Sequence, residues 1–413
     1  MNHIRRILAA TSALGALAAL PAAAADLEVT HWWTSGGEAA AVAEFARIFE
    51  EKTEHTWVDG AIAGSGNTAR PIMISRITGG DPMGATQFNH GRQAEELVEA
   101  GLMRDLTDIA EAGHWRDVVN PPSLLDSCTL DGRIYCVPVN IHSWQWLWLS
   151  EKAYADAGVP VPTTWEEFVA AAPALEAAGK VPLALGQQAW QMSGLFATLM
   201  ISLLPDDIYL GVYRDKDEEI AAGADVAGIF AALDTARKMA AKSTVQDWNQ
   251  ATNMVITGEA GGQVMGDWAQ GEFAMAGQVA GEDYHCLPGL GDKDILTTGG
   301  DAFYFPKLRD DDMADAQADL AEVIISPEAQ VAFSLKKGSL PVRGDVDLDA
   351  ANACMRKGLA ILASGEALPD TNQLIDSDTR TQIEDLLVEF FADPSYAPED
   401  AQKRFAGIIG NAL

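Results

Sequence analysis

Apolar and polar positions alternate along Leu27-Glu28-Val29-Thr30-His31-Trp32-Trp33, and the β-branched and aromatic residues in this run predict a strand. A helix is expected to follow directly. Ser35 stands where an N-cap belongs with Glu38 three residues on, and Val42, Phe45 and Phe49 fall on one helical face. The pattern repeats with a strand over Trp57 to Ile62 and a helical segment over Ala69 to Thr78. Tyr135 to Val139 reads as a strand, and Ser143-Trp144-Gln145-Trp146-Leu147-Trp148-Leu149 alternates as another. Pro162-Thr163-Thr164-Trp165-Glu166-Glu167-Phe168 opens a helix, with threonine as cap and acids in the first turn, running to about Gly179. Val181 to Leu185 resumes a strand. Strands alternating with helices predict an α/β fold. No repeat or low-complexity linker interrupts the chain, so two domains would be joined by crossing strands and not by a tether.

The first residues set the compartment. Arg5 and Arg6 precede an apolar run from Ile7 to Leu20, then Pro21 and the small pair Ala23 and Ala25. This is the pattern of a secretory signal peptide over residues 1–25, too short to span a bilayer. Removing 25 residues of 413 leaves 388, enough for two or more domains. Losing two arginines takes the net charge from −32 to −34. So acidic a chain repels phosphates, which argues against nucleic acid and anionic membranes as partners, and no later stretch approaches the roughly 18 uninterrupted apolar residues that membrane insertion needs.

In an exported chain the four cysteines read as disulfides. Three pairings are open. Cys128 and Cys136 flank the turn signal Asp131-Gly132, which suits a disulfide stapling a hairpin and leaves Cys286 for Cys354. The seven histidines show no zinc-binding spacing, so neither a metal nor a cofactor is expected. Gly64-Ser65-Gly66-Asn67-Thr68-Ala69 formally fits a dinucleotide fingerprint, but a clear acidic ribose partner is missing, and a turn with a helix start explains the glycines. The chain carries 60 carboxylates, from which no catalytic pair can be selected, and lacks a nucleophile elbow.

Eleven tryptophans carry more information. Trp32 and Trp33 precede Thr34-Ser35-Gly36-Gly37, and Trp268 sits in Gly266-Asp267-Trp268-Ala269. An indole face complements the C–H face of a pyranose while nearby polar groups read its hydroxyls. Trp32 and Trp33 point to opposite sides of a strand, so at least one is free to leave the core.

Across essentially the whole mature chain the sequence resembles the family 1 extracellular solute-binding proteins of ABC sugar importers, in particular the glucose and mannose binders. The resemblance is carried by His31-Trp32-Trp33-Thr34-Ser35-Gly36-Gly37-Glu38, Val137-Pro138-Val139-Asn140-Ile141-His142, Pro162 to Phe168, Met265-Gly266-Asp267-Trp268, Ser326-Pro327-Glu328-Ala329-Gln330 and Lys337-Gly338-Ser339-Leu340-Pro341-Val342-Arg343. It implies two α/β lobes closing on a ligand, residues 26–138 with 300–345 forming one and 139–299 with 346–413 the other. It also implies a monomer that delivers a neutral mono- or small oligosaccharide to a two-subunit permease with cytoplasmic ATPases. The ligand residues it implies are Trp32, Trp33, Glu38, His90, Trp268, Asp301 and Lys337. Where glucose binders carry a histidine, this chain has Pro369-Asp370-Thr371-Asn372-Gln373, and Gln373 takes its place. The competing readings are an exported carbohydrate-active enzyme and a binding protein for a polyamine, a metal complex or a phosphorylated compound.

Overall fold

A computed structural model describes residues 24–413 of the chain, so the expected export signal lies outside the described residues but for its last two positions. Two sheets organise the rest. The larger runs Thr56–Ala61, Asp26–His31, Ala85–Asn89, Asp301–Tyr304, Cys136–Pro138 in spatial order. Its first three strands are parallel and Asp301–Tyr304 runs antiparallel to both its neighbours, with Asp301 opposite Asn89 and Tyr304 opposite Thr86 and Cys136. The smaller runs Tyr284–Pro288, Trp146–Ser150, Ala260–Val264, Val181–Leu183.

Helices cover both faces, so the central strands are buried throughout, and Ala85–Asn89 exposes no residue. Helix Gly36–Lys52 buries Ala41, Val42, Phe45, Ile48 and Phe49, the stripe expected from its periodicity. Phe45 stacks on Phe333 of helix Pro327–Lys337 with ring centroids 4.5 Å apart. Each fully buried phenylalanine contributes roughly 1.5–3 kcal/mol of transfer free energy.

Three segments cross side by side between the sheets. The Val139 N–H donates to the Asp301 carbonyl at 2.8 Å and the His142 N–H to the Gly299 carbonyl at 3.0 Å. Leu340–Pro341 pairs with Asn140–Ile141 on the other side. Short paired strands between two lobes are the kind of connection at which small torsions produce hinge closure.

Local expectations meet mixed outcomes. Thr129–Leu130 and Arg133–Ile134 form the hairpin, with Asp131 and Gly132 at φ 50° and 77° as its turn requires. Disulfides join Cys128 to Cys136 and Cys286 to Cys354. Thr164 caps helix Trp165–Ala177 by accepting from the Glu167 N–H. Three readings are corrected. The second helix starts earlier, at Ser65, because Gly64 adopts the left-handed conformation that turns the chain into it. The alternating tryptophan run is a strand only from Trp146, because Ser143 is held out of it by Asp267 and Gln145 by Ile295 and Thr297. The capping box at Ser35 does not form, because Glu38 turns to Lys337 and the Ser35 hydroxyl donates to Glu38 instead of accepting a backbone N–H.

Candidate functional site: a cleft between the lobes

A cavity of about 310 Å³ opens where the crossing segments meet the two sheets, at the lower end of the ~300–1,000 Å³ usual for ligand pockets. Its floor carries charges taken almost completely out of water. Lys337 closes the last turn of helix Pro327–Lys337, and its Nζ donates to Glu38 Oε1 at 2.5 Å, with the two residues 2% and 7% exposed. Burial still raises the Glu38 carboxyl above its ordinary value, only partly offset by Lys337.

Asp301, at the start of its strand, accepts from Gln87 Nε2 at 2.7 Å and Asn140 Nδ2 at 3.1 Å, and pairs with His142 Nδ1 at 3.2 Å. Burial opposes its ionisation, but the charges of His142 and Lys337 and these hydrogen bonds outweigh it and hold the carboxyl well below the usual range. The same contact lifts His142 above its ordinary value against the effect of burial. The site thus holds two hydrogen-bonded acid–base pairs whose geometry is fixed before any ligand arrives.

Over these pairs lies a cage of indoles. Trp144 and Trp268 meet edge to face with centroids 4.8 Å apart, Trp144 and Trp190 at 5.6 Å, and Trp248 and Trp268 at 6.4 Å. His142 packs on Trp268 at 5.1 Å. Two glycines make room. A Cβ on Gly266 would stand 2.0 Å from the Trp268 ring, and one on Gly194 2.1 Å from the Trp144 ring. Trp190 starts helix Ala189–Leu203 and is oriented by its Nε1–H, which donates to Gln188 Oε1 at 2.8 Å. Asp267, beside the cage, accepts at Oδ2 from the Ser143 N–H and hydroxyl, while Oδ1 has no hydrogen-bond partner among the described residues. Burial pushes its carboxyl up to about 7.

The fold brings Trp32, Glu38, Trp268, Asp301 and Lys337 together on the wall of this cleft. Three others lie off it. Trp33, 1% exposed, points away from Trp32 into the core, between Phe303 and Phe333. His90 is buried behind the wall, its Nδ1 2.7 Å from the Ser127 hydroxyl, and burial with the neighbouring His142 pulls it down to about 3. Gln373 is spent on a helix cap, its Oε1 accepting from the Asp370 N–H at 2.8 Å. Each of the last two has an adjacent asparagine that does face the cleft, Asn89 and Asn372. Alternation from Gln87 along its strand is the signal that points to Asn89. His142, Trp144, Trp190 and Trp248 also escaped the sequence reading. Trp190 and Trp248 lie in the first turn of their helices, where nothing in the local pattern marks an indole as facing a cleft. Among the described residues no cluster of side chains fits a metal ion, and no helix is long and apolar enough to cross a membrane.

A family model for bacterial extracellular solute-binding proteins matches residues 33–331. The chain is 37% identical over 340 residues to a Brucella melitensis protein named "Probable sugar-binding periplasmic protein", covering 81% of this chain and 79% of that one. A protein of the same name from Rhizobium meliloti is 36% identical over 356 residues, covering 86% and 85%. Among solved structures, a chitin oligosaccharide binding protein superposes with a TM-score of 0.76 at 19% identity, over 94% of this chain and 98% of that one. A maltose-bound binding protein of T. maritima superposes at 0.74 and 18% identity, over 94% and 99%. These neighbours share the two-lobed fold.

Proposed function

Since this chain belongs to the bacterial extracellular solute-binding proteins, we propose that it captures a mono- or small oligosaccharide in the cleft and presents it to a membrane importer. One observation carries the reading: three indoles packed around Trp268 abut two buried acid–base pairs, Glu38 with Lys337 and Asp301 with His142. Flat apolar faces beside fixed charged acceptors and donors suit a ring that is apolar on one face and lined with hydroxyls at its edge. In this reading Trp268 and Trp32 stack on the sugar, and Glu38, Asp301, Lys337 and Asn89 meet its hydroxyls. Trp33, His90 and Gln373 support those side chains from behind.

Binding is reversible and non-catalytic, and residues 26–138 with 300–345 close as a monomeric unit on 139–299 with 346–413. The closed form docks on a two-subunit permease driven by cytoplasmic ATPases. Relatives named as periplasmic support a place outside the cytoplasmic membrane, and two disulfides fit an oxidising compartment.

Calorimetric titration with a panel of hexoses, pentoses and disaccharides tests the proposal. At least one sugar should release heat, and Trp268→Ala should weaken it by about 30-fold or more, the ~2 kcal/mol of a binding hot spot. Silence toward every sugar refutes the function, unchanged affinity in the variant refutes the site, and turnover of a chromogenic glycoside refutes the non-catalytic reading.

A further inference from the structure

Away from the tryptophan cage the cleft is walled by helix Ser65–Gly79 of one lobe and helix Ser377–Ala392 of the other. They touch, with Asn67 Nδ2 donating to Glu384 Oε2 at 3.2 Å. Two half-buried arginines converge here from opposite lobes. Arg70 Nη2 donates to Asn67 Oδ1 at 2.8 Å, and its guanidinium lies 5.9 Å from the centre of the Trp32 ring. Arg380 donates to Asn372 Oδ1 at 2.7 Å and to the Ser377 hydroxyl at 3.3 Å. Every one of these direct partners is neutral, and among the described residues neither arginine has a carboxylate oxygen within ion-pair distance.

The other carboxylates of the cleft are committed elsewhere. Glu38 is held by Lys337 and Asp301 by His142, while Asp370 caps its helix and Asp247 holds Gln188 and caps another. Glu384 lies nearest both arginines, and burial raises it above its ordinary value, while Asp370 and Asp376 act on Arg380 only at longer range. Burial and the charge of Arg380 pull Arg70 down to about 10. Two guanidiniums thus line this end of the cleft with no carboxylate bonded to either, in a chain of net charge −32. Closing the lobes brings these like charges together, which disfavours closure unless an acceptor enters between them.

We propose that this end of the cleft is a second subsite for an anionic substituent, a carboxylate or a phosphate, on the sugar whose ring occupies the tryptophan cage. The inference rests on the sugar-binding reading and turns the expected neutral ligand into an acidic sugar. Forked guanidinium groups match both oxyanions in geometry and charge. Because one arginine comes from each lobe, an anion held by both favours the closed form.

The test titrates the full chain with D-glucuronate, D-galacturonate and D-glucose 6-phosphate beside D-glucose and D-galactose, at low and high salt. An acidic sugar should bind at least about tenfold tighter than its neutral counterpart, roughly one charge-assisted hydrogen bond. The gap should narrow as salt rises. Tighter uronates assign a carboxylate and tighter glucose 6-phosphate a phosphate. Arg70→Gln and Arg380→Gln should each cut the acidic-to-neutral ratio about tenfold, and Arg380→Lys, which keeps the charge but loses the fork, should cut it less. Should a glutamine variant fail to fold, the wild-type ratio and its salt dependence decide alone. Neutral sugars binding as tightly as acidic ones overturn the subsite and leave sugar binding standing. Silence toward both kinds refutes sugar binding itself, and the subsite with it.

Discussion

Replacing Lys337 with methionine removes a charge while keeping most of the side-chain volume, and isolates what the buried pair contributes. Glu38 would then keep one hydrogen bond, from the Ser35 hydroxyl at 3.3 Å, and would still feel the negative charge of Asp301. A buried charge stripped of its partner costs about 3–5 kcal/mol, so Lys337→Met should lose stability on that scale at pH 8. The loss depends on pH with a definite sign. The Glu38 carboxyl is already raised in the folded protein, and without lysine it rises further above the ~4.3 of an unfolded glutamate. A group raised in the folded state favours folding below its unfolded value, and that contribution is lost as pH rises through the folded value. The penalty should therefore shrink at pH 5, as Glu38 takes up a proton. Urea unfolding of wild type and variant at pH 8 and pH 5 reads this as a shift in midpoint at constant slope. Adding Glu38→Gln to Lys337→Met should recover part of the loss, because the stranded charge is gone, with a coupling of roughly 0.5–3 kcal/mol. A cost below about 1 kcal/mol at pH 8, the same cost at both pH values, or no recovery in the double variant would refute the account.

Asp267→Asn removes a carboxyl that burial pushes up to about 7. Since that group favours folding only at low pH, the variant should melt higher than wild type at pH 8, by on the order of 4 kcal/mol at most, and lose the advantage as pH falls through 7 toward 4. A melting difference that does not vary with pH contradicts the ionisation assigned to Asp267. The disulfides differ in the loop they close, 68 residues for Cys286–Cys354 and 8 for Cys128–Cys136. Loop entropy gives about 4 kcal/mol lost on replacing the first pair with serines against about 2.5 kcal/mol for the second, and equal losses in urea unfolding would sink that ranking.

How far the chain could be read in advance follows the range of the forces involved. The opening strand and helix, the Asp131-Gly132 hairpin and the Thr164 cap rest on neighbours within a few residues, and period and turn chemistry suffice for them. Glu38 looked like a cap because its local partner, Ser35, lies three residues away. Its actual partner lies 299 residues away, and no local pattern carries that information. The family resemblance implied His90 and Gln373 by position, and a matched position does not say which way its side chain points. In the fold, direction decides instead, and Asn89 is the residue aimed at the cleft. Trp144 was hidden inside an apparently regular alternation, and only the bonds that hold Ser143 and Gln145 out of the strand release it into the cleft.

The distribution of the cleft's groups between the lobes bears on how binding becomes motion. Glu38, Lys337 and Asp301 hang from the larger sheet and its helices, whereas Trp144, Trp190, Trp248 and Trp268 belong to the segments around the smaller one. Gln87, Asn140 and His142 fix Asp301 in advance, so in the proposed binding a ligand would gain its hydrogen bonds without first ordering the side chains that make them. A ligand shifts the lobes only by what it gains in the closed state over the open one. Moving a closure equilibrium from 1:99 to 99:1 takes about 5.5 kcal/mol. One stacked indole at roughly 2 kcal/mol and two charge-assisted hydrogen bonds at about 1.5–3 kcal/mol each reach that figure only when both lobes are engaged together. Truncating Trp268 or neutralising Arg380 should thus weaken closure as well as affinity if, as proposed, each supplies its lobe's share of the contacts to a ligand that both lobes hold.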